Sequence, residues 1–155
     1  MNYTESQYDE FEAHMHEKFP EMFSRPYGGF AVGAGWWPVI EALCGQIHHH
    51  VKETNSRREL LLKDNPYKLK VPEAVPQVYV AQIKEKFGGL RFYYDGGDAV
   101  VDGMVRMAES WAARSCEKCG KPGERRGGGW IRTLCDEHEA EYQQRQRERN
   151  NEATL

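Results

Sequence analysis

Three of the four cysteines and one histidine of this 155-residue chain fall into one pattern, Cys116-Glu117-Lys118-Cys119 and Cys135-Asp136-Glu137-His138, with fifteen residues between the two pairs. A two-residue gap lets both members of a pair reach one ion without strain. C-x-x-C followed by C-x-x-H therefore describes a closed, tetrahedral structural zinc site with Cys116, Cys119, Cys135 and His138 as ligands. Gly120 suits a knuckle in which the backbone takes a positive φ and turns its N–H groups toward the sulfurs. A disulfide reading is the weaker one. The N-terminus carries no hydrophobic signal segment, so the expected compartment is a reducing cytoplasm, where paired cysteines bind metal more often than they oxidise. Structural zinc contributes about 10–16 kcal/mol in finger peptides, against a net folding stability of about 5–15 kcal/mol for ordinary domains. Loss of one ligand is expected to unfold the C-terminal third.

The spacer holds Gly127-Gly128-Gly129 and then Trp130, Ile131 and Thr133, a glycine loop feeding a short strand. The second ligand pair falls on the first turn of a helix that starts near Asp136. Knuckle, hairpin and helix start together resemble a treble-clef finger. That likeness concerns fold alone, and such modules are mostly structural or recognition elements.

The formal charge is −3, which argues against a general nucleic-acid binder. No apolar run approaches the roughly 18 residues that a membrane helix needs. Charge is uneven, however. From 114 to 133, Arg114, Lys118, Lys121, Arg125, Arg126 and Arg132 oppose only Glu117 and Glu124, a local net of +4.

Thr4 and Gln7 form a capping box that predicts a helix from about Glu5, with Tyr8, Phe11, Met15 and Phe19 on its apolar face. His14 and His16 point to different sides of it and read as solvated helix surface. Phe30-Ala31-Val32 is a candidate short strand. Pro38, favoured at a first helical position, opens a helix whose stripe of Val39, Ile40, Leu43, Cys44, Ile47 and Val51 runs to about Glu53. Cys44 reads as a small core hydrophobe, and His48, His49 and His50 lie on three faces and cannot chelate one ion. Arg57 to Lys63 adds a helical turn or two. The segment from Asp64 to Pro76 is a linker or irregular edge.

Two alternating runs from Val78 to Tyr94 flank Gly88-Gly89, read as the two-residue loop of a primed hairpin turn. That loop sets Phe87 opposite Leu90 and Lys86 opposite Arg91, a like-charge pair that calls for an anion across it. Tyr79, Ala81, Ile83, Phe87, Leu90, Phe92 and Tyr94 then face the core, and Lys84, Lys86, Arg91 and Tyr93 face outward. Glu85 comes to the core face opposite Phe92. Three readings stay open for it: left wet at the sheet edge, paired with an arginine, or a working carboxylate. Asp98 is a good N-cap for a helix with Val101, Met104, Val105, Ala108, Trp111 and Ala112 inward. The expected fold class is α+β. A small antiparallel hairpin sheet packs with helices in a core domain of residues 1–114. A zinc finger over 115–142 continues from it, followed by a charged helical tail, 143–155, that frays after Asn150.

Gly35-Trp36 opening a helix, the run from Gln82 to Tyr93, and the block Cys116 to His138 with Gly128-Gly129-Trp130 and Thr133-Leu134-Cys135 resemble a family of uncharacterised small zinc-binding proteins encoded by tailed phages and prophages. The resemblance spans most of residues 19–138. It implies a mobile-element origin, hence a host-cell cytoplasm, and a zinc-bound C-terminal half, with no mechanism attached.

Enzyme templates are incomplete. The zinc deaminase H-x-E with P-C-x-x-C is missing, since Ser115 precedes Cys116. His138-Glu139 lacks the second histidine of H-E-x-x-H. A His-Asn-His nuclease needs histidines between the ligand pairs, and that span has none. The leading expectation is a non-enzymatic protein that captures an anionic, nucleotide-like ligand or a host factor, a use that would fit countering host defence. Lys84, Lys86, Arg91 and Tyr93 on the hairpin and Arg125, Arg126, Trp130 and Arg132 in the finger combine phosphate-pairing cations with stacking surfaces. Against this stands a merely solvated sheet face and loop. The alternatives are an adaptor that docks on a protein through the glycine loop and terminal helix, and nucleic-acid binding confined to the finger.

Overall fold

The computed structural model describes residues 7–153. The chain is α+β. Helix α1 (Tyr8–Lys18) leads to strand β1 (Phe30–Ala31), a short 3-10 turn at Ala34–Trp36, and a long helix α2 (Trp37–Lys63). Strands β2 (Tyr79–Lys86) and β3 (Gly89–Asp95), helix α3 (Ala99–Ala112), a small hairpin of β4 (Glu124–Arg126) and β5 (Arg132–Leu134), and helix α4 (Asp136–Glu152) follow. Thr4 and the expected helix start at Glu5 lie outside the described residues.

The main sheet has the order β1-β2-β3, with β1 parallel and β3 antiparallel to β2. The hairpin sheet therefore gains a parallel edge strand, Phe30 beside Ile83. Trp36 and Trp37 are fully buried where the 3-10 turn passes into α2. The Trp37 ring stacks on Phe11 at 4.7 Å, which fixes α1 on α2. His14 and Lys18 on α1 both hydrogen-bond the Glu41 carboxylate, at 2.8 and 2.7 Å. Those two contacts hold Glu41 below the ordinary carboxylate range.

Helix α2 passes the expected stop at Glu53 without a break, because nothing from Thr54 to Lys63 opposes helix and Pro66 is the first true breaker. Its outer end leaves Leu60 and Leu62 exposed. Cys44 is fully buried, and burial pushes its thiol pKa well up, as a core hydrophobe requires. The linker is less irregular than its prolines imply. Asn55 on α2 accepts from the Val75 amide and donates to the Val75 carbonyl, at 2.8 and 2.9 Å, clamping it onto the helix.

The register expected for the hairpin is wrong by two. The loop is Phe87-Gly88, both at positive φ (52° and 77°), and Gly89 already belongs to β3. Lys86 faces Gly89, Glu85 faces Leu90, and Lys84 rather than Lys86 faces Arg91. Phe87 is consequently 64% exposed at the turn instead of buried. A primed turn needs two residues that accept positive φ. The docking of Gly88 described below selects which glycine takes the second position. Because the slip is two, Ile83, Glu85, Leu90 and Phe92 stay on the face assigned to them. A bulge at Ala81 moves Val80 inward and Ala81 out of the fully buried set.

Asp98 caps α3, its Oδ1 accepting from the Val100 and Val101 amides at 3.1 Å each. His50 on α2 approaches the other oxygen at 2.9 Å. Burial pushes this carboxyl up, but the His50 contact and the two amides outweigh burial and hold it below its ordinary value. A carboxyl depressed in the folded state stabilises above its unfolded pKa and loses that contribution as pH falls through the folded one. Asp98→Ala is therefore expected to cost about 0.5–2 kcal/mol at pH 7 in urea unfolding, with the difference from the parent protein shrinking below pH 4. An equal difference at pH 7 and pH 3 contradicts this. Val101, Val105, Ala108 and Ala112 of α3 are buried, whereas Trp111 leaves the expected stripe and is 60% exposed. Trp111, Met107, Met104, Val39 and Leu43 line an apolar groove between α2 and α3.

Candidate functional site

The chain leaves α3 and enters the knuckle within four residues. Ser115 bridges to Pro122, the Gly120 amide donates to the Cys116 carbonyl at 2.8 Å, and Gly120 takes φ 76°. Cys135 is the N-cap of α4 and His138 lies on its first turn. The Cys116, Cys119 and Cys135 sulfurs and a His138 nitrogen all lie within 4.8 Å of one another. His138 Nδ1 is 3.3 Å from the Cys116 sulfur and 3.2 Å from that of Cys135. These four groups could hold a metal ion.

The electrostatics fit that use. Burial raises the Cys116 thiol, but the amides of Cys135, Cys119 and Lys118 aimed at its sulfur overcome this and bring it down to about 7. Cys119 is pushed up to about 11, by burial first and also by the neighbouring Cys116 and Cys135. Crowded thiolates repel one another, and a divalent cation is what lets three of them ionise in this space.

The body of the protein grips this knuckle directly. The Gly35 amide donates to the Glu117 carbonyl at 2.7 Å, the Gly33 amide to Glu117 Oε1 at 3.1 Å, and the Trp36 indole to the Ser115 carbonyl at 2.9 Å. A Cβ on Gly35 would lie 2.1 Å from the Cys116 carbonyl oxygen. On the other side, Thr133 Oγ1 donates to the Gly88 carbonyl at 2.6 Å and Ile131 packs against Gly88. The β2–β3 turn is thus seated on β5.

Between turn and knuckle lie three adjoining cavities. One of about 350 Å³ is lined by Glu85, Lys86, Phe87 and Gly129 to Ile131. A second of about 210 Å³ is lined by Gly33, Glu85, Glu117, Lys118, Trp130, Arg132 and Leu134. Tyr8 and Ala31 to Gly33 close a third against Glu85 and Glu117. Glu85 borders all three, and Trp130, 67% exposed, borders two. Glu117 and Lys118, the two variable residues of C-x-x-C, both line this groove.

The structure divides the candidate ligand-binding residues. Lys86, Trp130 and Arg132 meet at the groove. The Arg132 Cζ lies over the Tyr142 ring, 4.0 Å from its centre, and its Nε is buried without a hydrogen-bond acceptor. Lys84, Arg91 and Tyr93 sit on the outer sheet face; Lys84 lies over Tyr93 at 5.6 Å, and Arg91 folds back to the Leu90 carbonyl at 2.8 Å. Arg126 is engaged within the finger by Asp136, at 2.5 Å, and Arg125 is exposed on β4. Among the described residues Lys86, Lys118 and Arg132 enter no ion pair within 4 Å, whereas Lys121 pairs with Glu137. Sequence reasoning missed Lys118, Glu117 and Gly33 as groove residues. The only signal was position: both residues of the C-x-x-C gap lie on the knuckle against which Gly33 and Gly35 pack.

No family model, curated protein or solved structure matches the chain.

Proposed function

We propose that this is a non-enzymatic binding protein. Its Cys116, Cys119, Cys135 and His138 hold zinc in a treble-clef-like finger, and its groove captures an anionic, nucleotide-like ligand. Three thiolates and an imidazole are a donor set that suits zinc. Four protein donors fill a tetrahedron and leave no position for an activated water. The observation that carries the capture reading is that Trp130 lines one cavity with Lys86 and the adjoining one with Lys118 and Arg132, all three cations without an ion-pair partner among the described residues. An exposed indole beside unspent cations offers stacking for a base and pairing for phosphate. The phage or prophage setting, with sequestration of a host nucleotide as its use, rests on the family resemblance alone.

Calorimetry of the zinc-loaded protein with nucleoside triphosphates and cyclic oligonucleotides is expected to give micromolar binding and quenching of Trp130 fluorescence. Arg132→Ala is expected to weaken that binding roughly tenfold to a hundredfold, the loss of one charge-assisted contact. Absence of binding by every nucleotide tried, or an Arg132→Ala variant that binds as well as the parent, contradicts the reading.

A further inference from the structure

Glu85 is the group in the groove that phosphate capture leaves unexplained. It extends from the same sheet face as the buried Ile83, Leu90 and Phe92, directly opposite Leu90. Its Oε1 accepts from the Gly88 amide at 2.6 Å, which fixes the carboxylate at the turn. Among the described residues no cation stands within 4 Å of it. A half-buried carboxylate without a cation is costly for a fold to keep. Placed beside Lys86, Lys118 and Arg132, it would also repel a ligand that is only an anion. A ligand that fits must bring hydrogen-bond donors to Glu85 and negative charge to the cations.

We propose that the groove takes a guanine nucleotide, with Glu85 accepting from the Watson–Crick edge of the base, Trp130 stacking on its face, and Lys118 and Arg132 meeting its phosphates. This rests on the capture reading above and deepens it. Glu85 and Trp130 line the same two cavities, and Lys118 and Arg132 also line the second. A carboxylate accepts through both oxygens and donates nothing when ionised. Guanine presents two adjacent donors on that edge, N1–H and the N2 amine. Adenine and cytosine set a ring-nitrogen acceptor beside their amine, and uracil flanks its single N–H with two carbonyls. Against a fixed carboxylate these neighbours repel.

The test compares GTP, ATP, UTP and inosine triphosphate on the zinc-loaded full chain by calorimetry. GTP is expected to bind at least about thirtyfold more tightly than ATP or UTP. Inosine triphosphate, which lacks the N2 amine, is expected to fall about tenfold or more below GTP. Glu85→Gln keeps the shape and an acceptor for Gly88 but substitutes an amide donor, and the GTP-to-ATP ratio is expected to collapse toward one. Equal binding of GTP and ATP by the parent protein overturns the guanine assignment and leaves nucleotide capture standing. Binding of none of the four, nor of any cyclic oligonucleotide, overturns both. The comparison of nucleotides on the parent protein decides the matter even if Glu85→Gln folds poorly.

Discussion

Cys116→Ser is expected to release the metal and to unlatch residues 115–142 from the body of the protein. The fully buried Cys116 donates its amide to the Lys121 carbonyl at 2.7 Å and accepts from Gly120, so both rungs of the knuckle meet at this residue. Structural zinc contributes about 10–16 kcal/mol in isolated fingers, more than the contacts among β4, β5 and the first turn of α4 can replace. The second cluster of buried residues consists of Cys116, Leu134 and Cys135 alone, with Cys119 and Tyr142 packed on it. That is too little apolar surface to hold the finger without its ion. Hydrogen exchange is the readout. The amides of Gly35, Glu117, Gly120 and Gly123, whose acceptors lie in or against the knuckle, are expected to lose protection. Those of Val80 and Ile83 are expected to keep it, since they bond to Met22 and Gly29 in the body. Retained protection at Gly120 with the serine in place contradicts a metal-dependent finger. Ligand affinity is expected to vanish with Cys116→Ser, because Lys118 lies between Cys116 and Cys119.

Gly35→Ala is expected to be strongly destabilising and to act at the contact between finger and body. The added carbon would meet the Cys116 carbonyl oxygen at 2.1 Å, the Gly120 nitrogen at 2.5 Å and the Cys119 nitrogen at 2.7 Å. All three are backbone atoms of the Cys116–Gly120 knuckle, so no side-chain rotation relieves the clash. Either the 3-10 turn lifts off and the Gly35 amide loses the Glu117 carbonyl, or the knuckle distorts. Overpacking of this kind costs about 3 kcal/mol or more, which for a chain of this size lowers Tm by about 6–12 °C. Gly103→Ala is the control. That glycine lies inside α3, and a Cβ there meets nothing within 4 Å. Removing glycine from a helix interior is expected to stabilise by about 0.5–1 kcal/mol. A Gly35→Ala variant that melts with the parent protein would mean that finger and body are not in contact as described.

The gathering of Cys116, Cys119, Cys135 and His138 was legible because their spacing is a local property: two residues per pair and a glycine at the knuckle suffice to bring four donors together. The amphipathic stripes of α2 and α3 were legible for the same reason. What escaped were features set by contacts between distant segments. The hairpin register depended on which glycine met Ile131 and Arg132 forty-odd residues later, whereas local turn chemistry within Val78 to Tyr94 favours Gly88-Gly89 over Phe87-Gly88 as the loop. Glycines 33 and 35 look like ordinary loop residues until Cys116 to Gly120 arrives beside them. The basic residues illustrate the limit best. Arg126 and Arg132 are equivalent by composition, yet Asp136 occupies the first while Tyr142 stacks on the second and leaves it without an ion pair among the described residues. Glu85, held open between three readings, proves to be a fixed carboxylate without a cation within 4 Å among the described residues, so the arginine-paired reading falls away.

The claim on which groove, finger and ligand all depend is that Cys116, Cys119, Cys135 and His138 close round one zinc ion. X-ray absorption at the zinc edge of the purified protein tests it most directly. The expected spectrum has one metal per chain with three sulfur neighbours at about 2.3 Å and one nitrogen at about 2.0–2.1 Å. A protein that carries no stoichiometric metal, or a metal shell lacking sulfur, contradicts it.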